Sequence, residues 1–222
     1  MERFLFIVDE RLPLGLVAEV LRLRDDVGKI YQRPVEFANL LTKLPVKGSD
    51  FTKKGEIIRT TEYGVQRNAK QILKAAEELL GVNNQHIVFI TVDDITCECK
   101  ERESGYLNFC FGLASEGNNA IVSVARFRDL PIYEQKDMLS GMIMHEIGHI
   151  FGVAMNPKRR KTEYNRGRHC TCDRCVMQQG NTLEKMRLNL LGAANNPKSY
   201  RNPCRKYYCR LCARDIKKTL NH

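Results

Sequence analysis

His145 and His149 stand four residues apart with Glu146 beside the first, in the string Met144-His145-Glu146-Ile147-Gly148-His149-Ile150-Phe151-Gly152. On a helix, residues four apart share one face, about one turn from each other. Two imidazoles so placed can converge on a single metal ion, and the adjacent carboxylate can reach water held there. This is the pattern of a zinc hydrolase, in which two histidines bind Zn²⁺ and the intervening glutamate is the general base. A buried amphipathic helix with two hydrogen-bonded histidines would show the same string, so residues elsewhere must decide.

Two histidines do not complete a zinc site. The next histidine is His169, within Arg168-His169-Cys170-Thr171-Cys172-Asp173-Arg174-Cys175-Val176-Met177. Cys209-Arg210-Leu211-Cys212 follows as a second knuckle. Two cysteines from each knuckle make a closed, tetrahedral Cys₄ zinc site of the structural type. A C-x-x-C pair is common by itself. Its weight here comes from standing behind His-Cys-x₄-Cys and H-E-x-x-H. Cys172 and Cys204 compete as ligands. The outer pair Cys170 and Cys175 keeps the four-residue gap, and Cys209 with Cys212 has the better knuckle spacing.

In this combination the sequence resembles the archaemetzincin family of zinc metallopeptidases, a branch of the metzincin-like proteases. The matching residues are His145, Glu146, His149 and Gly152, then His169, Cys170, Cys175 and Met177, then Cys209 and Cys212. Upstream, Leu12 to Gly15, Ile90 to Asp94, Leu107 to Ala114 and Ile121 to Arg126 are also similar, so the likeness covers most of the chain. The resemblance implies two Zn²⁺ ions. His145, His149 and His169 would hold a catalytic one, with Glu146 as base. Cys170, Cys175, Cys209 and Cys212 would hold a structural one, and Met177 would sit in a tight turn beneath the histidines. The implied reaction is peptide-bond hydrolysis, with aminopeptidase and endopeptidase action both open. Substrate would lie extended beside Leu107 to Phe111, paired backbone to backbone.

The chain departs from the family in two places. The family's third histidine falls three residues after the glycine, where this chain has Met155. His169 comes after a basic insertion, 155–168. A thioether is a poor zinc ligand beside imidazole, and loop closure costs little more as a loop lengthens, so His169 is preferred. The insertion is expected to project into solvent with its ends close together. The second departure is a longer gap between Met177 and Cys209, read as a helix over Asn181 to Leu191 followed by a loop.

The elements that must position these residues follow from periodicity. Phe4 to Val8 reads as a strand, and Leu12 to Ile30 as a helix with apolar Leu12, Leu16, Val20, Leu23 and Val27. Arg33 to Phe51, with Pro34, Pro45 and Gly48, reads as loops and short extended pieces. Val65 to Leu80 reads as an amphipathic helix closed by Gly81. His86 to Val92, Tyr106 to Leu113 and Ala120 to Ala125 read as strands. Asp93 to Ser104, with Cys97 and Cys99, reads as a surface loop. The metal-binding helix is expected over Tyr133 to Phe151. The class is α+β: a mixed twisted sheet with helices, the active-site helix, then a small zinc-stabilised C-terminal part. One domain, 1–222, is expected, with 1–152 carrying the sheet and active-site helix and 153–222 the second zinc and the insertion.

Composition agrees with a soluble globular chain. Of 222 residues, 43% are hydrophobic and 28% charged, and no apolar run reaches membrane-spanning length. The first residues end in Asp9-Glu10-Arg11 without a cleavage signal and read as a strand. Nine cysteines, an odd number at short spacings, point to metal in a reducing, cytoplasmic setting. The net charge of +10 gathers late in the chain, where Lys158 to Arg168 holds six Lys/Arg against Glu163. This favours a solvated surface near the site over a nucleic-acid face. The expected partner of this monomer is a peptide or protein, with no membrane. The rival readings are a zinc-stabilised binding module, or an inactive relative, recognising nucleic acid or an acidic partner. Neither accounts for Glu146 within the histidine pair.

Overall fold

The computed structural model describes residues 2–38, 47–80, 84–97, 109–115, 118–155, 161–164, 168–172, 175–180, 182, 184–187 and 203–221. Its main sheet grows from β1 (Arg3–Val8), which is buried beyond its first residue. Parallel neighbours are β2 (Val35–Phe37) on one side and β5 (Gln85–Thr91) on the other, and β8 (Ala120–Ser123) continues parallel to β5. The strand β7 (Gly112–Ala114) closes the far edge antiparallel to β8, so the order is β2-β1-β5-β8-β7. Parallel strands covered on both faces are apolar throughout, and every residue of β5 and β8 is buried.

The alternation of β1 divides the core. Phe4, Phe6 and Val8 join a cluster with α1 (Leu14–Tyr31) and α4 (Ile132–Ile150), while Leu5 and Ile7 join one with α3 (Ala69–Leu80). Pro13 precedes α1 as its cap, and the heptad-like set Leu16, Val20, Leu23 and Val27 is buried as its spacing requires. The last helices, α5 (Pro203–Tyr207) and α6 (Arg210–Leu220), contribute Tyr207, Tyr208, Cys212 and Ile216 to the same cluster as α1 and α4. The C-terminal part thus packs on the sheet layer through shared core residues. Among the described residues no helix is long and apolar enough to cross a membrane.

Several elements differ from the sequence reading. The short helix α2 (Gly48–Thr52) stands where loops and short extended pieces are expected, and of the strand read over Tyr106 to Leu113 the described residues are in a strand only from Gly112. Val65 to Asn68 is not helical. It belongs to β4 (Gly64–Asn68), antiparallel to β3 (Ile57–Thr61) and parallel to β6 (Asp94–Thr96). The helix starts only at Ala69, where the Asn68 Oδ1 accepts from the Lys70 and Gln71 backbone N–H groups at 3.0 and 3.3 Å. This is an N-cap, and Asn is among the residues best suited to it. The stretch from Asp93, read as a surface loop, opens instead with the fully buried β6. Its charge is paired rather than solvated. Asp94 accepts two 2.8 Å hydrogen bonds from the Arg126 guanidinium and one of 2.9 Å from Gln66 Nε2. Arg126 also lies over the rings of Phe109 and Tyr63, at 3.7 and 4.6 Å from their centroids. Residues 81, 98–108 and 188–191, which carry the expected cap glycine, part of the strand from Tyr106 and the end of the helix from Asn181, lie outside the described residues. Residues 184–187 are helical.

Asp94 is completely buried, so removing it leaves a mostly buried guanidinium unpaired, and loss of one member of such a pair costs about 3–5 kcal/mol. Asp94→Ala should therefore lower the melting temperature by many degrees. Glu36→Ala, which breaks the exposed pair with Arg3, should change it little, since exposed pairs contribute about 0–1 kcal/mol. Thermal melts of the two variants side by side check this, and equal shifts would refute it.

Candidate metal centres

The last two turns of α4 present His145 and His149 toward His169, which lies on β10 (Arg168–Cys170). One nitrogen from each of the three rings lies within 4.8 Å of the others. The Nε2 atoms of His145 and His149 are 3.0 Å apart, close to the separation of about 3.3 Å for two nitrogens bound tetrahedrally at about 2.0 Å from zinc. The His145 Nδ1–H donates to the Val176 carbonyl at 2.6 Å. That bond turns Nε2 toward the other two rings, the outer-shell arrangement usual for a metal-binding histidine. Burial, then the neighbouring imidazole of His169, lowers His145 to about 4. Burial, then His145 and His169, holds His149 well below its ordinary value. Both rings stay neutral, which is the state that ligates.

Glu146 is 4% exposed and faces the edge strand. Burial, then the nearby Cys97, pushes its carboxyl well above the usual range, and a hydrogen bond donated by the Ala114 backbone N–H opposes this. Gly112 lies flat against it. A Cβ there would come within 2.7 Å of Glu146 Cγ and 2.8 Å of Cδ. The glutamate thus occupies a notch in β7 that any larger residue would fill.

The second set is assembled from the two knuckles. The sulfurs of Cys170, Cys175, Cys209 and Cys212 all lie within 4.8 Å of one another. Cys170 and Cys209 are 3.7 Å apart, and Cys175 and Cys212 are 3.4 Å apart. Four sulfurs held tetrahedrally at about 2.3 Å from zinc would be about 3.8 Å apart, so the donor set fits that ion. Its hydrogen bonds hold Cys209 far down, through Cys170, Cys175 and Cys212, and push Cys212 far up. Four sulfurs this close form a set that a divalent cation would hold as thiolates. Cys172 and Cys204 pack nearby against the apolar cluster but stand outside this set.

Three contacts join the two sets; the resemblance implies that of Met177, while those of Val176 and Tyr208 escape sequence reading because nothing in residue type announces them. Val176, whose carbonyl holds His145, is the neighbour of Cys175, and its own N–H donates to the Tyr207 carbonyl at 2.9 Å. Met177 is fully buried under Gly148, where an added Cβ would collide with its sulfur and come within 3.3 Å of its Cε. The Tyr208 hydroxyl donates to the Met144 carbonyl at 2.5 Å from the position just before Cys209.

Gly152 has φ of 63°, so the chain leaves α4 sharply as its type suggests. Residues 156–160 and 165–167 of the insertion lie outside the described residues. Its return arm, β9 (Thr162–Tyr164), pairs antiparallel with β10, with Glu163 opposite His169. Met155 is 42% exposed, whereas His169 stands with His145 and His149.

The arrangement has solved counterparts. The α+β fold matches that of archaemetzincin crystal structures. The chain matches the crystal structure of archaemetzincin from Methanopyrus kandleri with a TM-score of 0.62 at 24% identity, over 100% of this chain and 97% of that one. A zinc-dependent peptidase from Methanocorpusculum labreanum matches with a TM-score of 0.59 at 18% identity, over 96% and 99%. In sequence, an archaemetzincin from Thermococcus kodakarensis is 28% identical over 123 residues, 51% of this chain, and the match spans half the length of that relative. No family model matches the chain. The sequence and structural likenesses together support the archaemetzincin family.

Gly148→Ala should force Met177 away from the helix. Overpacking of this kind costs about 1–3 kcal/mol, and the turn it moves carries the Val176 carbonyl. A lower melting temperature and weaker metal retention by the histidine set, read by chelator competition, are expected. Unchanged retention would show that the Met177 contact does not bear on His145.

Proposed function

We propose that the chain is a zinc-dependent peptidase, and that His145, His149 and His169 hold its catalytic zinc. The observation that carries this reading is the convergence of three imidazoles beside a buried glutamate that rests on a sheet edge. Cys170, Cys175, Cys209 and Cys212 would hold a second, structural zinc, making two ions in one domain, 1–222. A bound zinc supplies Lewis acidity, bringing the pKa of a water near neutrality and polarising a carbonyl.

Glu146 does the proton work. It takes the proton of the attacking water and delivers it to the leaving amine. Its apolar surroundings favour the protonated carboxyl, and the Ala114 N–H favours the charged one. The substrate would run extended along β7, whose outer edge is free of a partner strand among the described residues. Gly112 brings that edge against Glu146, which places a peptide bond of an added strand within reach of the base. The partner in this reading is a peptide or protein, met by a monomer in the reducing, cytoplasmic setting that the thiols suit.

Glu146→Gln tests the reading. The amide keeps the size of the carboxyl but cannot accept the proton, so peptide hydrolysis should fall by at least a hundredfold while the zinc content and the melting temperature stay near those of the parent. Parent-like turnover in this variant would refute the role of Glu146. Gly112→Ala should act on the same carboxylate from outside, lowering turnover with both donor sets still loaded. Hydrolysis and metal content measured on one preparation separate these effects.

A further inference from the structure

Of the eight described cysteines, six gather around the second donor set, and two do not. Cys97 follows β6 and Cys110 precedes β7, and both are half-buried thiols. Ile95 and Cys110 form an antiparallel bridge, with the Cys110 N–H donating to the Ile95 carbonyl at 3.0 Å. Residues two apart on an extended chain share a face, so Cys97 stands diagonally across from Cys110, where cross-strand side chains meet. The two thiols are within hydrogen-bonding reach of each other, and this contact, then burial, pushes the Cys110 thiol up. Cys97 is near enough to Glu146 to act on its carboxyl, and Cys110 is two residues before the glycine that touches it.

We propose that Cys97 and Cys110 are an oxidisable dithiol, which a peroxide converts into a disulfide tying β6 to the chain that enters β7. One sulfur, as thiolate, attacks a peroxide oxygen and becomes a sulfenic acid as one water leaves. The other thiol displaces the hydroxyl as a second water and forms the S–S bond. Two thiols and one hydrogen peroxide thus give one disulfide and two waters, with sulfur oxidised and oxygen reduced. The bond closes residues 98–109 into a covalent loop and tethers the strand edge beside Glu146. To reach the S–S length of about 2 Å, both side chains rotate and the two chain segments draw together. The proposal concerns the sulfur pair itself and does not depend on the peptidase reading.

The test is brief treatment of the full-length, zinc-loaded protein with near-stoichiometric hydrogen peroxide, then alkylation and peptide mass spectrometry. The expected product has lost two hydrogens, joins Cys97 to Cys110, keeps its zinc and returns to the dithiol with a reductant. Cys97→Ser and Cys110→Ser should each abolish it, and the pair of variants guards against one of them folding poorly. Oxidation confined to the Cys170, Cys175, Cys209 and Cys212 set with release of zinc would overturn the proposal. So would a cross-link of Cys110 to Cys99 that persists in Cys97→Ser.

Discussion

The hydrogen bond from His145 Nδ1 to the Val176 carbonyl, at 2.6 Å, is the constraint on which the rest of the site depends. It sets which imidazole nitrogen faces His149 and His169, and it is made by the residue next to Cys175. The histidine set is therefore built against the knuckle that carries the cysteine set. Gly148 makes this approach possible, since its missing side chain admits Met177 against the helix. Tyr208 adds a third tie, from the second knuckle to the Met144 carbonyl. The two clusters are thus joined by packed backbone and buried side chains.

The sheet serves the same end from the other side. Its parallel centre is covered on both faces, and only β7 runs antiparallel, at the edge. This strand is short, and its Gly112 and Ala114 both meet Glu146, one by lying flat and one by donating a backbone hydrogen bond. Glu146 is thus gripped between a helix and a strand edge, while Asp94 and Arg126 hold the adjoining small sheet by a buried ion pair.

The chemistry was more legible in the sequence than its support. Spacing put His145 and His149 on one helix face and the four cysteines in two knuckles, the resemblance added His169, and the fold gathers these residues into two clusters. The insertion 155–168 did not obscure His169, since a thioether and an imidazole differ so much as ligands. What escaped reading were interactions of backbone and of absence: the Val176 carbonyl, the notch at Gly112 and the space at Gly148. The helix from Val65 was extended too far because Val65, Gln66 and Asn68 are compatible with either period, and the Asn68 cap was overlooked. Asp93 to Thr96 looked like solvent-facing charge, and only the pairing of Asp94 with Arg126 lets it be buried.

The central claim is that one chain carries two chemically different zinc sites joined through Val176 and Met177. X-ray absorption at the zinc edge, on protein purified with its metal and quantified per chain, addresses it most directly. The account predicts two zincs per chain, half with a pure sulfur shell at about 2.3 Å and half with nitrogen and oxygen neighbours at about 2.0–2.1 Å. A single zinc per chain, or a spectrum of sulfur neighbours alone, would contradict it.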